Sequence, residues 1–207
     1  DESFCYDGLN RLVADKLAAT INCTSDAYKH TVSYNAIGNI LSKTRLDDNA
    51  LLNTYSYPAS GSSSVRPHAV SSVSGKVNGV VNPVYSYDAN GNLSSGGGRS
   101  LQWTVFNMVE CVANGATSCA GGATTKVEYT YDADHSRITQ KETASSTVTT
   151  TTYLNDPASG LSSEKTVTGS VTTWTDYLMA GGNRVGARSN VVGVGVTTRY
   201  YITDHLG

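Results

Sequence analysis

The sequence predicts an all-β fold made of consecutive antiparallel hairpins, and three observations carry that expectation. A short template recurs along the chain: an apolar residue, any residue, Tyr, Asp or Asn, three loose positions, a polar residue and an apolar residue. Before each template turn, apolar and polar residues alternate with the period of two of a half-buried strand, as in Val127, Tyr129 and Tyr131 against Glu128 and Thr130. Much of the remainder, such as 147–153 and 166–174, is Thr, Ser, Val and Tyr, which favour strands over helices.

The repeats are FCYDGLNRL (4–12), VSYNAIGNIL (32–41), YSYDANGNL (85–93) and YTYDADHSRI (129–138), with weaker echoes in YSYPASG (55–61) and TTYLNDPASG (151–160). Their spacing is irregular, so the unit is a hairpin with variable arms rather than a fixed-length solenoid repeat. In each full repeat a pair closes the first strand: Tyr6 and Asp7, Tyr34 and Asn35, Tyr87 and Asp88, Tyr131 and Asp132. Leu12, Ile40, Leu93 and Ile138 open the second strand. Four positions after each template Tyr stand Asn10, Gly38, Gly91 and His135, residue types that tolerate positive φ; a primed hairpin turn is expected there.

Between the repeats, NRLVADKLAATI (10–21) places Leu12, Val13, Leu17 and Ile21 near helical spacing, while register with the other repeats makes the same stretch a strand. SGSSS (60–64), SSGGG (94–98) and CAGGA (119–123) read as turns or exposed loops. No shift in composition marks a linker, so a single β domain is expected over 1–207.

Composition excludes several function classes. With 39% hydrophobic and 15% charged residues the chain has globular composition. Its net charge of -2 lacks the basic footprint of a nucleic-acid binder, and no apolar run approaches the roughly 20 residues of a spanning helix. Neither nucleic acid nor membrane insertion is expected. The ends, DESFCYDG and YYITDHLG, are expected to belong to a longer chain.

The chemistry-bearing patterns are sparse. DANGN (88–92) has alternating oxygen side chains that open a calcium loop in other proteins, but Gly91 is fourth rather than sixth and Arg99 stands at the twelfth position, so turn chemistry is the better reading. SGGGRS (95–100) lacks the GK[ST] ending of a phosphate loop. There is no GxSxG, and His30, His68, His135 and His205 have no local partner pattern, although His68 and His205 each sit beside polar or charged residues. No catalytic residue, metal ligand or cofactor is assigned, and the chain is not expected to be an enzyme. The 13 tyrosines, with Trp103 and Trp174, fit either a structural ladder between hairpins or a face that contacts a glycan or receptor.

Cys5, Cys23, Cys111 and Cys119 contain no CxxC pair and fit disulfides or buried thiols. The local pairing, Cys5 with Cys23 and Cys111 with Cys119, closes the shortest loops, and oxidation would place the chain in an oxidising compartment.

YDGLNRL, YNAIGNIL, YDANGNL and YDADHSRI together resemble the YD repeats of the Rhs family, found in bacterial Rhs proteins, toxin-complex C components, wall-associated proteins and teneurins. RPHAVSSV (66–73), the run from Tyr85 to Met108 and RYYITDHLG (199–207) resemble the approach to the Rhs core region. The resemblance implies a curved or spiral sheet that forms part of a shell or fibre. It implies a secreted or cell-surface place, possession of a toxin cargo in some members and carbohydrate binding in others. Two departures stand out: His135 and Ser136 replace Gly-Asn in the fourth repeat, and the four cysteines are not general to the family. The many strands and only 4 prolines also predict self-association, or continuation of the sheet, through exposed strand edges.

Overall fold

The computed structural model describes residues 1–27, 30–45, 51–77, 79–116, 118–120, 123, 125–156 and 160–202, with the backbone alone at Asp156 and Leu161. His205, the DHLG ending and the turn residues 157–159 of the last echo lie outside the described residues. All regular elements among the described residues are strands, and every named pairing is antiparallel. The chain divides into two compact units, Asp1–Gly98 and Arg99–Gly207. The boundary follows Gly97 and Gly98, a Gly pair with both φ angles positive, where the sequence shows no linker.

In the first unit, β1 (Ser3–Tyr6), β2 (Leu12–Lys16), β3 (His30–Tyr34), β4 (Ile40–Thr44), β5 (Leu52–Ser56) and β6 (Ser72–Val73) lie in that order in one sheet. A short ribbon of β7 (Lys76–Val77) and β8 (Val80–Val81) follows, then the hairpin of β9 (Ser86–Tyr87) and β10 (Leu93–Gly96). The stretch with helical spacing is β2: Ala14 is buried between Cys5 of β1 and Thr31 of β3, its cross-strand partners. Sheet pairing on both sides thus overrides a marginal helical pattern. After Ser56 the 55–61 echo leaves β5 for a connection that reaches β6 only at Ser72, so no tight turn forms there. Gly96 is not loop but strand, and a Cβ on it would stand 2.1 Å from the Tyr85 ring. The ring lies where only glycine leaves room.

In the second unit, β11 (Arg99–Trp103), β12 (Val109–Asn114), β13 (Thr125–Tyr131), β14 (Arg137–Ala144), β15 (Thr147–Asp156), β16 (Gly160–Thr168), β17 (Val171–Ala180), β18 (Asn183–Val191) and β19 (Gly195–Tyr200) follow one another across the sheet in chain order. Threonine pairs run along one face, with Thr149 against Thr168 at 2.8 Å and Thr151 against Thr166 at 3.2 Å. Such cross-strand hydroxyl pairs explain why a Thr-rich sequence is stable here.

The buried apolar residues among those described are few and small: Cys5, Ala14, Val73, Cys111, Ala113 and Cys119. Disulfides occupy the interior instead, joining Cys5 to Cys23 and Cys111 to Cys119. Cys23 lies in the connection between β2 and β3, and Cys119 in that between β12 and β13, so each bridge ties a long connection down to a neighbouring strand. Closing loops of 18 and 8 residues gives about 3 kcal/mol each by loss of chain entropy in the unfolded state. We expect the paired change Cys5→Ala with Cys23→Ala, or treatment with reductant, to lower the midpoint of thermal unfolding by several degrees. A midpoint indifferent to reductant would contradict this.

Candidate functional site

The positions where sequence and structure concentrate polar contacts are the hairpin turns. In each full repeat the Asp or Asn after the template Tyr accepts two backbone N–H bonds with a single side-chain oxygen. Asp7 Oδ1 receives Leu9 and Arg11 at 2.9 and 3.0 Å; Asn35 Oδ1 receives Ile37 and Asn39 at 3.1 and 2.9 Å. Asp88 Oδ1 receives Asn90 and Asn92, both at 2.9 Å, and Asp132 Oδ1 receives Asp134 and Ser136 at 3.0 and 2.8 Å. The backbone closes the same loop each time: the fourth residue after the Tyr donates to the carbonyl of the Asp or Asn, as Asn10 does to Asp7 at 3.0 Å and Gly91 to Asp88 at 3.1 Å.

That fourth residue is left-handed in all four turns: φ is 58° at Asn10, 90° at Gly38, 89° at Gly91 and 63° at His135. It is the only turn residue with positive φ in each, so the expected primed turn is corrected to a type I turn followed by one left-handed residue. The extra residue appears as a register shift just before the Tyr, with Tyr6 facing Leu12, Tyr34 facing Ile40 and Tyr131 facing Arg137. Ile138 therefore does not open the fourth repeat's second strand; Arg137 does. Primed turns occur elsewhere, as at Gly181 and Gly182, both with positive φ, between β17 and β18.

A fifth turn of the same construction escaped the sequence template. Thr104 Oγ1 accepts the Met108 N–H at 3.0 Å, Asn107 donates to the Thr104 carbonyl at 3.0 Å, and Asn107 has φ 62°. Trp103 stands in for Tyr and Thr104 for Asp. A template written as aromatic, side-chain acceptor, two residues, left-handed residue would have found it.

The template tyrosines join one hairpin to another. The Tyr34 hydroxyl donates to the Leu12 carbonyl at 3.0 Å, and the Tyr131 hydroxyl to that of Val109 at 2.6 Å. Leu12 and Val109 are the residues that face Tyr6 and Trp103 across the two earlier hairpins, so each hydroxyl grips the preceding hairpin of its own unit. The Tyr87 hydroxyl donates to the Val70 carbonyl at 2.8 Å, and burial holds its pKa above the usual tyrosine range, which keeps the donor proton in place. Cations cover the rings. Arg11 lies 4.6 Å from the Tyr34 centroid, Arg66 6.0 Å from that of Tyr87, Arg137 4.4 Å from Tyr129 and 5.9 Å from Tyr153, Arg184 3.8 Å from Tyr177, and Lys165 5.4 Å from Trp174.

The RPHA stretch is tied to the second and third of these turns, both in the first unit. Asn39, buried in the second turn, donates to the Pro67 carbonyl at 2.7 Å and turns its oxygen to His68 Nδ1 at 2.7 Å, so that ring nitrogen carries the proton. Arg66 donates to the Asp88 carbonyl. Phe106 stacks on His135 at 4.4 Å and meets Tyr131 edge-on at 6.0 Å. His30 bonds both oxygens of Asp15 at 3.1 Å. The three histidines described thus have partners within the fold. At DANGN, both Asp88 oxygens are engaged in the turn, Oδ2 by the Asn92 amide at 3.0 Å.

The fold and turns define a class of architecture: an antiparallel meander whose hairpins carry a repeated side-chain-capped type I turn. No family model matches the chain, and no curated protein matches it. Among solved structures it is similar to a TcdB2–TccC3 chain crystallised with Cdc42 and to TcdB2–TccC3 without its hypervariable C-terminal region, each at TM-score 0.47 and 13% identity over 100% of this chain. It is also similar, at TM-score 0.29 and 13% identity over 91% of its length, to a chain of the Photorhabdus luminescens Tc holotoxin pore. The chain spans only 12 to 13% of those chains, and its architecture rests on its own strand pairing.

Two outcomes follow from the turn geometry. Asp88→Ala, which loses all three accepted bonds, should lower the denaturant midpoint of the first unit, while Asp88→Asn, which keeps one side-chain oxygen, should lower it less; equal effects in denaturant titration would contradict the turn. The pKa of Asp7 is lowered chiefly by the Arg11 backbone N–H, and that of Asp88 by the Asn92 side-chain amide and then by backbone N–H groups. A depressed folded pKa contributes stability that is complete above the ordinary carboxylate value and is lost as pH falls through the folded one. Acid unfolding should therefore begin below about pH 4, and Asp88→Asn should flatten that limb.

Proposed function

We propose that the chain is a non-enzymatic structural segment of an extracellular or cell-surface Rhs/YD-repeat protein of bacterial type, serving as scaffold, shell wall or self-assembling fibre. In an encapsulating form of this role it walls in a toxin cargo. The observation that supports the reading is the use of the template residues: Asp and Asn side chains cap turns, and Tyr hydroxyls bind neighbouring hairpins. A chain that commits the recurrent Asp, Asn and Tyr groups of its repeats to its own backbone is built to hold shape. Its two disulfides fit an oxidising compartment.

The alternative, an adhesion module for carbohydrate or a cell-surface receptor, needs open aromatic faces. Here Arg or Lys stands over the rings of Tyr34, Tyr87, Tyr129, Tyr153, Tyr177 and Trp174, which favours the scaffold. A glycan array probed with the oxidised protein separates the two. The scaffold reading expects no glycan to be retained; a glycan retained by the native chain and lost in Trp174→Ala would replace it with adhesion.

A further inference from the structure

The two disulfides sit in opposite surroundings. Cys111 and Cys119 are 3% and 5% exposed and pack with Ala113, Ala116 and Ala123 in the buried cluster of the second unit. The connection that carries Cys119 is also fastened beside the bridge: Ser100 Oγ donates to the Ala116 carbonyl at 2.5 Å and Lys126 Nζ to the Cys119 carbonyl at 3.4 Å. In the first unit Cys5 is buried at 1%, but Cys23 is exposed, as are Asn22 and Thr24 on either side of it. Thr24 turns back on its own loop, donating to Asn22 Oδ1 through its amide at 3.0 Å and its hydroxyl at 2.8 Å. Of the four cysteines, Cys23 alone is exposed.

We propose that Cys5–Cys23 is a redox latch, opened by a dithiol reductant while the chain stays folded, and that Cys111–Cys119 remains closed under the same treatment. Exchange begins when a thiolate reaches one sulfur of a disulfide, so access selects both the bridge and the sulfur attacked. The reductant thiolate bonds to Cys23 Sγ, the bond from Cys23 to Cys5 breaks, and its electron pair leaves on Cys5 Sγ, which takes up a proton. The second thiol of the reductant then displaces Cys23 from the mixed disulfide, so the chain gains two thiols and the dithiol departs as a disulfide. Attack on Cys111 or Cys119 must wait for the second unit to open. Once the latch is open, the connection 17–27 keeps the bond from Ser3 Oγ to the Ala18 carbonyl at 2.7 Å and the half-exposed Lys16–Asp26 pair at 3.1 Å. Ties of that kind hold a loop weakly. The latch is thus closed in an oxidising compartment and loosens this connection in a reducing one.

The latch is independent of the scaffold reading, since it follows from burial at the two bridges alone. The test treats the full oxidised chain with dithiothreitol under native conditions, quenches by alkylation at intervals, maps the modified cysteines, and follows amide hydrogen exchange in the half-reduced species. A parallel reaction with glutathione, a monothiol, traps the mixed disulfide. We expect Cys5 and Cys23 to be alkylated at least about tenfold faster than Cys111 and Cys119, because the buried bridge reacts only through opening of its unit. Glutathione should be found on Cys23, and amides within 17–27 should exchange faster while those of β12 and β13 do not change. Reduction of both bridges at one rate, prior loss of Cys111–Cys119, glutathione on Cys5 instead of Cys23, or a half-reduced chain with unchanged exchange in 17–27 would overturn the proposal.

Discussion

One oxygen atom that accepts two backbone N–H groups is the contact on which the rest of this structure depends. A hairpin with three loop residues leaves amide donors at its tip facing inward, and each must find an acceptor. Asp7, Asn35, Asp88 and Asp132 provide one each, and Thr104 supplies a hydroxyl for the same purpose. The acceptor fixes the type I turn, the turn requires one left-handed residue, and that residue sets the register in which Tyr6 faces Leu12 and Tyr131 faces Arg137. Register decides which side chains share a face, because a slip of one residue exchanges the two faces of a strand.

With register fixed, the tyrosines fall where they reach the preceding hairpin. The hydroxyls of Tyr34, Tyr87 and Tyr131 bind backbone carbonyls, and arginines stand over the rings of the first two. This substitutes for a conventional core, since the buried apolar residues are small and half of them are cysteines in disulfides. Cohesion is thus distributed along the chain in local units. Such a structure extends by adding hairpins without redesign of an interior.

The hairpins were legible because one constraint writes itself into fixed sequence positions: aromatic, acceptor, and a residue tolerant of positive φ. The fourth repeat shows the rule's depth, for His135 and Ser136 replace Gly-Asn and yet preserve both the φ and the accepted bonds. Asn107 was missed because Trp103 and Thr104 perform the same tasks with different residue types. The cations over five of the tyrosines were illegible too, since Arg66 reaches Tyr87 from 21 positions away and no local period marks it. The echo at 55–61 keeps the tyrosine and, in Gly61, a positive-φ residue at the fourth position, but Pro58 stands where the side-chain acceptor would be, and there the chain runs on to Ser72 instead of turning.

Amide hydrogen exchange at the turn tips tests the central contact most directly. The account predicts that the N–H groups of Arg11, Asn39, Asn92, Met108 and Ser136, each accepted by a side-chain oxygen, are protected to a degree comparable with the adjoining strands. Exchange at these five amides as fast as in an unstructured loop would contradict it.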